Sequence, residues 1–245
     1  MFLDFSQLDG DLLNQYRYVF NHAFPEVIFQ SEVVGSCWTK VEQYFPDFQR
    51  ILIGSAGQLI GFINTLPLKL DVELGNLPAE GWDWLMQKGI SDFEDGSDPN
   101  CLGGLQVVVA KEHQGKGFSK TLIVEGQRIQ RQLQFRNFII PIRPTLKHKH
   151  PKVSMLNYLK KQENDKIYDP WIRTHVKTGA KIIGVCSKSM HIQAKLSYWE
   201  KLLDQRITET GDYQIPGALN LVRIDIETGH GEYLEENIWI NHPLD

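Results

Sequence analysis

The chain has 245 residues, 42% of them hydrophobic and 23% charged, enough apolar material for one sizeable core and the size of a single α/β unit. A net charge of −4 excludes a chain built mainly to coat nucleic acid, and no run approaches the ~18 consecutive apolar residues that span a membrane. The three cysteines, Cys37, Cys101 and Cys186, stand far apart, which excludes a zinc ribbon or dithiol motif; with no positive and then apolar amino-terminal segment, a cytoplasmic protein is expected.

The spacing of Leu12, Leu13, Tyr16 and Phe20 predicts a helix from about Asp9 to Phe24, ended by Pro25. A shorter helix is expected over Cys37 to Tyr44. Arg50–Ile53 and Leu59–Leu66, split by Gly54-Ser-Ala-Gly57, read as a hairpin of buried strands. Pro78 to Gly89 reads as a helix, and the acidic, Gly- and Ser-containing stretch Ser91–Asn100 as a surface loop.

Leu105–Ala110 is a β-branched strand, followed by a short polar turn, an amphipathic helix from about Gly117 to Phe135 with Leu122, Ile123, Ile129 and Leu133 inward, and a buried strand at Asn137–Ile142. That unit is a βαβ crossover. Further on, Asp169 and Pro170 open a helix that Gly179 closes. Lys181–Cys186, Ala218–Ile226 and Tyr233–Ile240 read as strands, and Leu196–Leu203 as a helix.

The turn Gln114-Gly115-Lys116-Gly117-Phe118-Ser119 carries chemistry. Glycines between a buried strand and a helix let main-chain N–H groups converge on an anion, and Lys116 adds charge at the rim. A phosphate or pyrophosphate site is the inference. Ala110 and Gly117 break the P-loop pattern, and Lys120 stands where a dinucleotide fingerprint needs its third glycine.

The turn resembles the pyrophosphate motif of the GNAT (GCN5-related N-acetyltransferase) superfamily, Arg/Gln-x-x-Gly-x-Gly/Ala, with Gln114 and Gly117 in place and Ser119 as a departure. The segments around Arg143-Pro-Thr145, Asp169-Pro-Trp-Ile-Arg-Thr-His175, Gly211–Leu219, Ser189-Met190 and Gly231–Trp239 are similar to the GNAT-like loading domains of polyketide synthases and their stand-alone relatives. Glu236 and Lys166-Ile167-Tyr168 depart from that subgroup.

The resemblance implies one domain over 1–245, with a carboxy-terminal extension from about 195. It implies an α/β fold whose mixed, mostly antiparallel sheet splays between two central parallel strands flanked by helices. Acetyl-CoA or malonyl-CoA would be the acyl donor, with no metal. Its pantetheine would pair with Val107, Val108 and Val109, and its pyrophosphate would sit on Gln114, Gly115, Lys116, Gly117, Phe118 and Ser119. A strand N–H near Val107 would polarise the thioester carbonyl.

His175, four residues before Gly179, stands where the family places a general acid for the departing thiolate; the bland alternative is a packed structural histidine. In the loading subgroup, residues at the positions of Thr145 and His175 serve malonyl decarboxylation, and some members pass acetyl to a carrier-protein thiol. Thr145 is equally a strand-end residue closing a loop. The basic run Arg143, Lys147, His148, Lys149, His150 and Lys152 reads as a solvated loop or as a surface for the CoA 3′-phosphate or an acidic carrier protein. Asp225, Glu232, Glu235 and Glu236 are expected at the surface. Amine acetylation and non-catalytic acyl-CoA binding stay open beside the loading reading.

Overall fold

A computed structural model describes residues 1–244. Its centre is a nine-stranded mixed sheet with helices on both faces. Strands β1 (Phe2–Asp4), β2 (Gln49–Ile53), β3 (Leu59–Leu68) and β4 (Cys101–Val109) form an antiparallel meander. Strand β5 (Asn137–Ile142) runs parallel to β4 and is followed in the sheet by β11 (His230–Pro243), whose other edge carries β8 (Lys181–Lys195). The expected architecture, mostly antiparallel with one central parallel pair, is the one observed.

Helix α1 (Gly10–His22) starts where Asp9 accepts from the Leu12 N–H at 2.9 Å, and it buries Tyr16 and Phe20. Helix α2 (Glu32–Tyr44) begins five residues before the predicted start, because Ser31 caps it through the Val34 N–H. Helix α3 (Gly81–Glu94) runs into the stretch expected as loop. One of its acidic residues is structural there: Asp92 is buried and bonds Lys88 Nζ at 2.6 Å and the Lys69 N–H at 2.8 Å. Polar composition misled at Asp92 because that carboxylate binds neighbours rather than water, whereas Glu94, Asp95 and Asp98 are exposed as expected.

Helix α4 (Phe118–Gln132) makes the crossover from β4 to β5 and buries Leu122, Ile123 and Ile129 against the sheet. Leu133, expected inside, is the helix C-cap and is exposed. Helices α5 (Met155–Leu159) and α6 (Pro170–Lys177) flank a two-stranded ribbon, β6 (Gln162–Glu163) and β7 (Lys166–Ile167). Strand β8 continues nine residues past its predicted end because β11 offers partners along nearly its whole length.

Beyond residue 195 the chain adds α7 (Leu196–Leu203), β9 (Gly211–Tyr213) and β10 (Val222–Asp225). Trp199 and Tyr233 pack there with Val27 and Met190. The last strand is not peripheral, since β11 lies between β5 and β8. Its first residues pair with β10 and its last six with β5, so one edge of β11 changes partner across 233–237. Among the described residues no helix is long and apolar enough to cross a membrane.

Candidate active site

Strands β4 and β5 pair only at Cys101–Gly103 against Asn137–Ile139 and then part. From Leu105 onward β4 therefore has a free edge. The Ala110 N–H bonds the Ile60 carbonyl of β3 at 2.9 Å, so in the regular stretch that follows Gln106 the alternate residues Val107 and Val109 turn their main-chain groups into the gap. Two side chains occupy the ends of that edge. Trp82 Nε1 donates to the Leu105 carbonyl at 2.8 Å, and Gln114 Nε2 to the Val109 carbonyl at 3.1 Å. Val107 lies between them, with no side chain bonded to its main-chain groups. The gap opens into a cleft of about 1580 Å³ that reaches from α1 to β11.

At the carboxy end of β4 the chain turns through Gly115 at φ +75° and Gly117 at φ +84°, and Gly117 is the N-cap of α4. Left-handed φ favours glycine at both positions. Among the described residues, the N–H groups of 115 to 119 have no protein acceptor. They stand at the start of a 15-residue helix, where the dipole adds to their pull on an anion.

Of the residues expected to hold a coenzyme, Val107, Val108, Val109, Gln114, Gly115, Gly117, Phe118 and Ser119 line the cleft. Lys116 does not: its ammonium folds back onto the Glu112 carbonyl at 2.9 Å. Lys111 and His113 reach the cleft instead.

Thr145 and His175 are not brought together on the cleft wall. Thr145 is exposed and lines the cleft, with Oγ1 3.4 Å from Asp169 Oδ1. Asp169 also caps α6 through the Trp171 and Ile172 N–H groups and accepts from the Leu146 N–H and Tyr158 OH. From α6 the wall takes Pro170, Trp171 and Thr174. His175 is one position further round, on the inward face with Ile172; it is fully buried, with its ring 4.2 Å from that of Trp171.

His175 stands at the end of a hydrogen-bond chain. Gln127 Nε2 donates to the Thr178 carbonyl at 2.8 Å, which orients the amide, and it lies 3.1 Å from His242 Nδ1. His242 Nε2 in turn lies 3.0 Å from His175 Nδ1 and shares one hydrogen bond with it, so the other ring nitrogen of His175 is Nε2. Nε2 has no partner and is buried. Burial first, and then the neighbouring His242, push the His175 pKa well below its ordinary 6.5, so the ring is neutral. A neutral, enclosed imidazole does not present an acid to the cleft in this geometry, because the helix turns that face toward α4 and β11.

The sequence reading missed Glu235. It is fully buried and lines the cleft where β11 changes partner. Arg143 Nε lies 3.0 Å from each of its oxygens, Tyr233 OH donates at 2.8 Å and Asn237 Nδ2 at 3.2 Å. Arg143 also ties the Gly217 carbonyl at 2.7 Å. The signal was period-two alternation: Gly231, Tyr233 and Glu235 share one face of an antiparallel strand.

Lys147, expected on a solvated loop, is fully buried and donates to the Leu219 carbonyl at 2.7 Å; burial lowers its pKa. The basic run is therefore partly structural, and Arg143 and Lys147 are not part of a surface.

No protein-family model matches the chain. A curated relative, arginine N-acetyltransferase avaD of Aspergillus versicolor, is 26% identical over 249 residues, covering 90% of this chain and 85% of that protein. Among solved structures, the loading GNATL domain of CurA from Lyngbya majuscula is similar with a TM-score of 0.59 at 13% identity, covering 99% of this chain and 96% of that one. The GphF GNAT-like decarboxylase in complex with isobutyryl-CoA gives 0.58 at 13% identity, with each chain covered in full.

Proposed function

We propose that this chain, which has the GNAT fold, is an acyl-CoA-dependent acyltransferase acting as one catalytic unit over residues 1–245. The observation that carries the reading is a coincidence of unpaired groups on one cleft. Among the described residues five consecutive amides of the glycine turn lack acceptors, and four of those residues, Gly115, Gly117, Phe118 and Ser119, line the same cleft as the free edge at Val107. A coenzyme with a diphosphate at one end and an extended amide chain at the other satisfies both.

In this reading the pyrophosphate lies on Gly115 to Ser119, and pantetheine pairs with Val107 in place of the absent β5 partner. The thioester then reaches the part of the gap near Leu105 and Trp82. An acceptor amine attacks the thioester carbon. The N–C bond forms, the C–S bond breaks with its electron pair going to sulfur, and the amine loses one proton. A main-chain N–H of the free edge stabilises the oxyanion in between.

Acetyl transfer to an amine is the reading we favour. It is supported by the named activity of the curated relative. Fold likeness alone does not decide among chemistries. Loading-domain chemistry, malonyl-CoA decarboxylation with acetyl passed to a carrier-protein thiol, is the second reading. Thr145 on the cleft wall favours it, while His175 behind Trp171 does not.

Calorimetry with acetyl-CoA and malonyl-CoA tests the coenzyme site; absence of binding at saturating concentrations sinks the proposal. Mass spectrometry then separates the two chemistries. Acetylated amine supports the first, whereas acetyl-CoA formed from malonyl-CoA supports the second.

A further inference from the structure

Three amide side chains stand directly opposite one another on adjacent strands: Gln49 of β2, Asn64 of β3 and Gln106 of β4. Gln49 and Asn64 are fully buried, and Gln106 is half-buried on the cleft wall. Gln106 Nε2 donates to Asn64 Oδ1 at 2.8 Å, and Asn64 Nδ2 donates to Gln49 Oε1 at 2.8 Å. Gln49 Nε2 ends the row on two main-chain carbonyls, Phe45 at 2.8 Å and Thr65 at 2.9 Å.

The row has only one sense. Main-chain carbonyls accept and cannot donate, so the Gln49 NH₂ must face them. Its oxygen then faces Asn64, which must offer its own NH₂, and the Asn64 oxygen must in turn take the NH₂ of Gln106. Reversing Gln106 would set two carbonyl oxygens against each other inside the core, at the cost of an unsatisfied buried acceptor. Gln106 Oε1 is what remains. It has no protein partner, and it is not sealed in the core.

Gln106 lies on the sheet face shared with Tyr16, whose OH is 3.3 Å from Asn64 Nδ2. Val107 and Val109 lie on the opposite face with Phe118, beside the glycine turn. The coenzyme comes from that turn along the strand edge, and Gln106 faces the other mouth of the cleft, toward α1 and α2.

We propose that Gln106 is a specificity-determining residue of the acceptor subsite, holding its side-chain carbonyl outward to accept an N–H of an amine substrate. The inference rests on the amine-acyltransferase reading and adds the group that selects the acceptor. A site built around a fixed acceptor rejects an analogue that brings only another acceptor, because two lone pairs then meet.

The test compares wild type with Gln106→Leu and Gln106→Met. Acetyl-CoA binding is followed by calorimetry. Acetyl transfer is followed by CoA release and product mass with L-arginine, putrescine and 2-phenylethylamine as probes. Gln106→Leu should raise KM for the accepted amine about tenfold or more, the loss of one hydrogen bond to a charged donor, while acetyl-CoA affinity stays within about twofold. Gln106→Met keeps the side-chain length without the carbonyl and should raise the amine KM to a similar degree.

An unchanged amine KM in Gln106→Leu overturns the inference, as does a methionine variant that keeps the wild-type KM. So does a shift confined to acetyl-CoA affinity, or a wild type that binds acetyl-CoA and acetylates none of the three amines. Wild type that binds no acetyl-CoA takes down the acyltransferase reading itself. Matching thermal midpoints and circular dichroism show that the variants fold.

Discussion

His242 Nε2 is held 3.0 Å from His175 Nδ1 in the core, and neither imidazole has exposed surface. Burial pushes the His242 pKa down to about 4 and that of His175 well below 6.5. Both folded values lie beneath the unfolded value, so the unfolded chain binds more protons as pH falls. The pair's contribution to stability is full above about pH 6.5 and is lost as pH falls toward 4. For His242 alone the loss approaches about 3 kcal/mol.

Asp83 has the opposite sign, since burial raises its pKa to about 6 and its contribution is lost as pH rises through that value. Comparison with His242→Gln cancels Asp83. Thermal midpoints measured from pH 7 to 4 should fall less steeply in the variant than in wild type. Parallel curves would show that the histidines do not titrate on unfolding.

The βαβ unit and its glycine turn were legible in the sequence because each part carries a local signal: a β-branched run, positive-φ glycines and a 3.6-residue apolar stripe. The residues expected to hold a coenzyme came from the same local logic, and of these Lys116 alone does not line the cleft, its ammonium being bonded to the Glu112 carbonyl. Residues whose surroundings come from distant strands were not legible. Glu235 looks like one of several acidic residues until β11 is placed beside β5 and Arg143 is brought across from it. His175 carried a motif register with Gly179, but which face of α6 meets the cleft depends on α4 and β11. The Gln49–Asn64–Gln106 row needs the register of two strand pairs and has no motif at all.

Gly117→Ala tests the turn. At φ +84° a Cβ is strained by about 1 kcal/mol, although no protein atom lies within 4 Å of where it would stand. The open space around it is the space assigned to the diphosphate. Folding stability should fall by about that amount, while acetyl-CoA affinity falls about tenfold or more as the amides are re-aimed. Calorimetry beside denaturant melts separates the two effects, and intact affinity in a destabilised protein would move the diphosphate elsewhere.

Arg143→Ala leaves Glu235 buried with Tyr233 and Asn237 as hydrogen-bond partners and without its bonded countercharge, the buried Lys147 being the remaining nearby cation. Removing one member of a buried pair costs about 3–5 kcal/mol, which in a chain this long lowers the thermal midpoint by roughly 10 °C. Arg143→Met combined with Glu235→Leu should recover part of that loss. Recovery stays incomplete because the Tyr233 hydroxyl and the Asn237 amide lose an acceptor. A single variant as stable as wild type would mean that Glu235 is not charged in the folded protein.

Trp171 stands between the cleft and His175, which makes accessibility a direct test of the decarboxylation reading. In wild type, diethyl pyrocarbonate should modify the exposed His22 and His230 quickly and His175 hardly at all, as followed by peptide mass spectrometry. Trp171→Ala should speed modification of His175 by roughly an order of magnitude, since the indole packed 4.2 Å from its ring is gone. Decarboxylation that needs His175 requires the histidine to reach the substrate, so saturating malonyl-CoA should then alter its labelling in wild type. Rapid labelling of His175 in free wild type would show that the indole does not close it off.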